Sequence, residues 1–115
     1  HKLHLADPRV MGADRVVDML FHNNSELAAK YFPRPLGKIV PGAYADLVVL
    51  NYKPYTPMHD GNFPWHFIFG MDASQVTDVV VDGKFVVRNG ELLTVDEDQV
   101  FEEAEVLAKA LWDRL

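Results

Sequence analysis

The sequence contains no cysteine, so disulfide staples and thiolate metal sites are excluded. A reducing, cytoplasmic setting is the expectation. Basic residues are scarce: 11 Lys and Arg stand against 17 Asp and Glu, a formal net charge of −6. Nucleic-acid affinity rests largely on Lys and Arg facing phosphates, so a DNA or RNA partner is not expected. An acidic balance of this size serves solubility. No apolar run approaches the ~18 residues of a membrane helix, so no membrane partner is expected. No signal-peptide pattern is legible. Phosphate-binding glycine loops are missing too, with neither G-x-G-x-x-G nor G-x-x-x-x-G-K-[ST] present. Nothing resembles the G-x-S-x-G turn that exposes a nucleophilic serine.

What is there fits a globular chain. Its 115 residues are 49% hydrophobic and 24% charged. A chain of this size ordinarily buries about 65% of its unfolded surface, enough for a modest core. It opens on His1 rather than Met, which reads as a true start lying elsewhere.

Three regions separate along the chain, residues 1–35, 36–92 and 93–115. In the first, Val10, Ala13, Val16, Val17, Leu20 and Phe21 recur at helical spacing. Asn23 and Asn24 are expected to break that helix, with Asn24 capping a second one over Ser25 to Tyr31. Pro33 and Pro35 then end it. The second region is β-rich. "LGKIVPGAYADLVVL" predicts a hairpin: Leu36 to Val40 pairs with Asp46 to Leu50 around a type II turn at Pro41-Gly42. "VTDVVVDGKFVVRNG" predicts a second, with Val79 to Val81 and Phe85 to Val87 flanking Asp82-Gly83, the preferred type I′ pair. The segment between them, rich in Pro, Gly and aromatics, reads as an ordered loop with a short turn near Trp65 to Phe69. The third region is a helix from Glu97 to Trp112. Val100, Ala104, Leu107 and Leu111 form its apolar stripe, Phe101, Ala108 and Trp112 lie beside it, and Thr94 or Asp96 caps it.

Reactive chemistry is thin. The imidazoles are His1, His4, His22, His59 and His66. His1 and His4 share an i, i+3 spacing but lack further ligands, so they read as exposed terminal residues. His22 is expected near a helix C-terminus, where a cation is favoured. His59-Asp60 could make an oriented base, yet it needs a nucleophile or water, and Ser74 and Thr77 are merely near in sequence. Loop hydrogen bonds are the expected use of His59 and His66. The carboxylates Asp96, Glu97, Asp98, Glu102, Glu103 and Glu105 read as a solvated helix face. Asp46 reads as a turn-capping carboxylate. No catalytic, cofactor-binding or metal-binding residue is assigned.

Two stretches carry a resemblance. "LGKIVPGAYADLVVLNYKPYTPMHDGNFPWHFIFG" and "VTDVVVDGKFVVRNGELLTVDEDQVFEEAEVLAKALW" resemble the C-terminal end of the metal-dependent amidohydrolases, in the aminohydrolase and chlorohydrolase branch. The Thr56 to Gly70 loop is similar to that of SsnA-type aminohydrolases. The resemblance implies an α+β chain: part of a composite β-sandwich, the last helix of a (β/α)₈ barrel, and a C-terminal helix. It implies a parent that hydrolyses C–N or C–Cl bonds of a small heterocyclic or amidine substrate. It places a divalent metal, zinc by expectation, on a His-x-His pair, two later histidines and an aspartate of the parent, none of them carried by this chain. The departure is His22-Asn23-Asn24-Ser25, where relatives often carry Thr-x-Asn-Gly. The implied partner is the N-terminal part of the same protein, and strand edges left unpaired without it imply self-association. The segment itself is then an inactive structural piece. The rival reading is a free-standing β-rich interaction module.

Overall fold

The computed structural model describes residues 2–7 and 9–115, leaving His1 and Pro8 outside the description. The chain opens with a single helical turn, α1 (Lys2–Leu5). Helix α2 (Ala13–Asp18) then runs into a π-helical turn, Met19–Asn23, and on into α3 (Asn24–Ala28). The expected break at Asn23-Asn24 does not occur. Both residues hold right-handed helical angles, φ −62° and −65°, and neither side chain caps. Asparagine is only a weak helix breaker, worth less than about 1 kcal/mol against alanine. The helix tolerates the pair and absorbs an extra residue as a π turn. Beyond Ala28 the backbone closes with Tyr31 N–H and Phe32 N–H donating to the Ala28 carbonyl, and the two prolines follow.

Strand β1 (Leu47–Leu50), helix α4 (Phe63–Phe69), a 3₁₀ turn (Ala73–Gln75), β2 (Val76–Val81), β3 (Lys84–Arg88), β4 (Glu91–Leu92) and α5 (Glu97–Trp112) complete the chain. The strands form one four-stranded antiparallel sheet in the order β1-β2-β3-β4. The chain is therefore mixed α and β.

The first expected hairpin is corrected. Leu36 to Val40 forms no strand, and β1 pairs with β2 instead, Val48 opposite Val79. The turn itself forms: Ala43 N–H donates to the Val40 carbonyl, and Gly42 takes φ +85°. Tyr44 N–H then donates to the Pro35 carbonyl, which leads the chain away from residues 36–40. Asp46 fixes the new partner, because its carboxylate accepts the Asp82 N–H at 2.7 Å, and Gly83 N–H donates to the Ala45 carbonyl at 3.0 Å. Asp46 thus serves the tip of the β2–β3 hairpin rather than its own turn.

That hairpin matches expectation. Asp82 and Gly83 take φ +46° and +78°, the angles a type I′ turn requires. Asn89 and Gly90 repeat the geometry at +53° and +81° and add the short strand β4. Arg34 clasps the same tip. Its guanidinium lies 3.9 Å over the Tyr44 ring and donates to the Asp82 carboxylate at 3.1 Å. Contact with Tyr44, then with Asp82, holds the guanidinium above its ordinary pKa.

The aromatic segment is more regular than expected, with two turns of helix α4. Pro64 occupies its first turn, where a missing N–H costs nothing. Helix α5 has the expected bounds, and Asp96 rather than Thr94 caps it by accepting the Gln99 N–H at 3.1 Å.

Depth is what the fold lacks. Ala13, Ser25 and Pro64 are the only buried residues among those described. Accessible surface is 9657 Å² for 13.0 kDa, where a compact protein of that mass exposes about 6,300 Å². The radius of gyration is 19.6 Å, against roughly 13 Å for a compact domain of this length. Helix α5 makes no extensive packing contact with another described element. The elements are locally well made and globally uncovered.

Heated alone, the 115-residue chain should lose its structure gradually. A cooperative domain of this length absorbs about 80 kcal/mol at its midpoint. Scanning calorimetry should show no peak of that size. A sharp peak approaching it would contradict the absence of a self-sufficient core.

Candidate functional site

The described imidazoles do not converge. His4 is exposed on α1, and His1 lies outside the described residues. His22 sits mid-helix rather than at a helix end, its Nε2 3.1 Å from Glu26 one turn on. His59 begins a turn: its N–H donates to Asn62 Oδ1 at 2.8 Å, and its Nδ1 accepts the Gly61 N–H at 3.1 Å. Among the described residues no salt bridge joins it to Asp60.

His66, on α4, is the best-held of them. Tyr52 Oη lies 2.6 Å from its Nδ1, and Thr56 Oγ1 lies 3.2 Å from its Nε2. The Tyr52 and His66 rings meet edge to face at 5.8 Å. Gly70 makes this approach possible. A Cβ there would sit 2.5 Å from the Tyr52 hydroxyl oxygen and 2.9 Å from the His66 carbonyl oxygen. Trp65 and Phe69 stack at 5.7 Å on the same cleft, which encloses about 340 Å³. His66 and Gly70 stand one helical turn apart, but Tyr52 lies outside that helix, so no period within one element joined it to them.

With both ring nitrogens engaged, His66 pins residues 52–56 to α4. Ser74 and Thr77, the hydroxyls near it in sequence, bond elsewhere. The Ser74 hydroxyl and N–H both donate to Asp72 Oδ1, at 2.5 and 2.7 Å, and the Gln75 carboxamide returns a bond to the Asp72 N–H. This capping box starts the 3₁₀ turn. The bonds from Ser74, side chain first and then backbone, hold the Asp72 carboxyl below its ordinary pKa. Thr77 Oγ1 donates to the Val49 carbonyl at 3.4 Å. The acids of α5 are exposed.

No three His, Asp or Glu side chains gather among the described residues. The imidazoles already bonded inside their own loops do not fit a divalent cation, which needs several convergent ligands with oriented support.

A more extensive concave surface than the His66 cleft is mainly apolar. A groove of about 960 Å³ runs between the helices and the sheet. Phe21, Phe63 and Phe67 form one wall, Leu47, Val48 and Leu50 the other. Phe21 meets Phe67 edge on at 5.2 Å and lies tilted against Phe63 at 6.3 Å. Mostly apolar walls and a thin core describe a surface suited to packing.

No family model matches the chain. Curated proteins do. It is 32% identical over 113 residues to a 5-methylthioadenosine/S-adenosylhomocysteine deaminase of Syntrophomonas wolfei, a match covering 96% of the chain. It is 35% identical over 112 residues to a 5'-deoxyadenosine deaminase of Methanocaldococcus jannaschii, again covering 96% of the chain. A 5'-deoxyadenosine deaminase of Methanosarcina mazei matches all of the chain at 31% identity. The chain spans about a quarter of the length of these relatives, 25%, 25% and 26% respectively.

Two substitutions test the Tyr52–His66 contact by NMR of the imidazole in the longest polypeptide that carries this segment. Gly70→Ala and Tyr52→Phe should both release Nδ1, giving His66 resonances that resemble each other and differ from the parent's. Unchanged resonances in Gly70→Ala would refute the steric role of Gly70. The Asp72 cap has a defined pH sense. A carboxyl whose pKa is depressed on folding contributes above its ordinary value of 3.8. That contribution fades as pH falls through the lower folded value. The Ser74 N–H resonance should follow this titration and be flat in Asp72→Asn.

Proposed function

We propose, given that the chain belongs to the amidohydrolase-family aminohydrolases and matches a C-terminal part of them, that it is a structural segment of a longer deaminase. One observation carries this reading: 96% of the chain aligns with only a quarter of proteins named as deaminases of adenosine derivatives. The bare apolar groove supports it, because a surface of that kind needs a cover.

The parent reaction in this reading is hydrolysis of an exocyclic C–N bond on an adenosine-type substrate. Water adds to the ring carbon, the amino group leaves as ammonia, and oxygen remains on the ring. The relatives' names favour this over the dechlorination and the SsnA-type assignment that the resemblance also left open. The α2–α3 helix is the last barrel helix of the parent, and the sheet is its share of a composite β-sandwich. A divalent metal, zinc by preference, is held by residues outside this chain. The setting is the cytoplasm, and the remaining polypeptide is the obligatory partner. Parted from it, the chain self-associates through the free edge of β1 or through the apolar groove.

Two measurements test this. Incubated with 5'-deoxyadenosine, 5-methylthioadenosine or S-adenosylhomocysteine and added zinc, the 115-residue chain should release no ammonia, while the longer polypeptide that contains it should. Turnover by the short chain would overturn the structural role, and an inert longer polypeptide would overturn the parent activity. Light scattering of the short chain should show mass rising with concentration. A monomer across a wide range would contradict self-association.

A further inference from the structure

We propose that α5 is a docking helix whose receptor is a groove on the remaining part of the same polypeptide, apolar along its floor and lined by Lys and Arg at its rim. This inference rests on the reading just given.

The stripe comes first. Phe101, Leu107 and Trp112 are about 70% exposed, and Val100 and Leu111 about half. They fall on one side of the helix with Ala104 and Ala108. No described element covers them. A 16-residue helix is marginal in water on its own, since nucleation is costly, so α5 needs this stripe buried to persist.

The rim comes second. Residues 96–115 carry seven carboxylates against Lys109 and Arg114, which places five of the chain's six net negative charges on and beside this helix. Glu105 and Asp98 border the stripe on one flank and Glu103 on the other, by helical spacing. Lys109 already faces Asp113 at 3.4 Å. Asp98, Glu103 and Glu105 have no salt-bridge partner among the described residues. Two copies of α5 side by side would oppose like charges, so a second copy is the poorer occupant. The other three quarters of the relatives' length offers the receptor. The recognition mode is a helix laid in a groove, with apolar anchors and charges at the edge setting register.

Hydrogen exchange of the α5 amides decides it, measured in the longer polypeptide and in the 115-residue chain, with ammonia release followed in parallel. The longer polypeptide should protect α5 by at least roughly 100-fold over the short chain. The double variant Glu103→Lys, Glu105→Lys, or added salt, should lower that protection about 10-fold. Equal exchange in the two chains would overturn the docking, and would leave the functional reading standing if the longer polypeptide still deaminates. Protection indifferent to both charge reversal and salt would overturn the basic rim. Protection that appears in the short chain as its concentration rises would assign the stripe to a second copy and overturn the proposal. Protection in a longer polypeptide that releases no ammonia would support the docking and count only against the deaminase reading.

Discussion

Burial of apolar surface is the dominant favourable term in folding, and this chain has the surface without the burial. It exposes 9657 Å², about 3,300 Å² more than a compact protein of its mass. That excess is on the scale of an obligate interface, which resembles a domain core cut in half. Phe21, Phe63 and Phe67 face Leu47, Val48 and Leu50 across a groove that neither wall can close. Every other feature is subordinate to this. Local order comes from hydrogen bonds and turns, and the hydrophobic term is left largely unused.

Local order is nonetheless thorough. The Asp46 carboxylate and the Ala45 carbonyl receive the N–H groups of Asp82 and Gly83, tying β1 to the β2–β3 tip. Arg34 holds the same tip from the helical side, stacked on Tyr44. Ser25 Oγ donates to the Leu36 carbonyl at 2.7 Å and secures the exit from α3. Tyr52, His66 and Gly70 lock the aromatic segment. Such polar clasps give geometry, and each contributes little net stability in water. They suit a segment whose faces must be preformed for a larger surface.

Sequence made some of this legible. Asp82-Gly83 announced its turn because few residues tolerate two successive positive φ angles. Helix α5 was readable from its stripe and cap, since period and capping act within one element. Pairing was not so readable. Whether Leu36 to Val40 or Val76 to Val81 joins β1 depends on bonds from Asp46 across 36 positions, which no local pattern encodes. Asn23-Asn24 misled for a related reason: a propensity of tenths of a kcal/mol yields to helix continuity. The contact over Gly70 was invisible because Gly70, at φ −114°, is needed for space rather than for backbone angle. The family was legible in the resemblance rather than in any reactive cluster.

Heat capacity reports apolar burial more directly than any other quantity. Calorimetric titration of the 115-residue chain with the remainder of the proposed parent, at several temperatures, measures it. Covering the whole excess surface of about 3,300 Å² predicts a change on the order of −1 kcal/mol/K. Association with a change near zero, or no association, would contradict the dependence of this fold on an external cover.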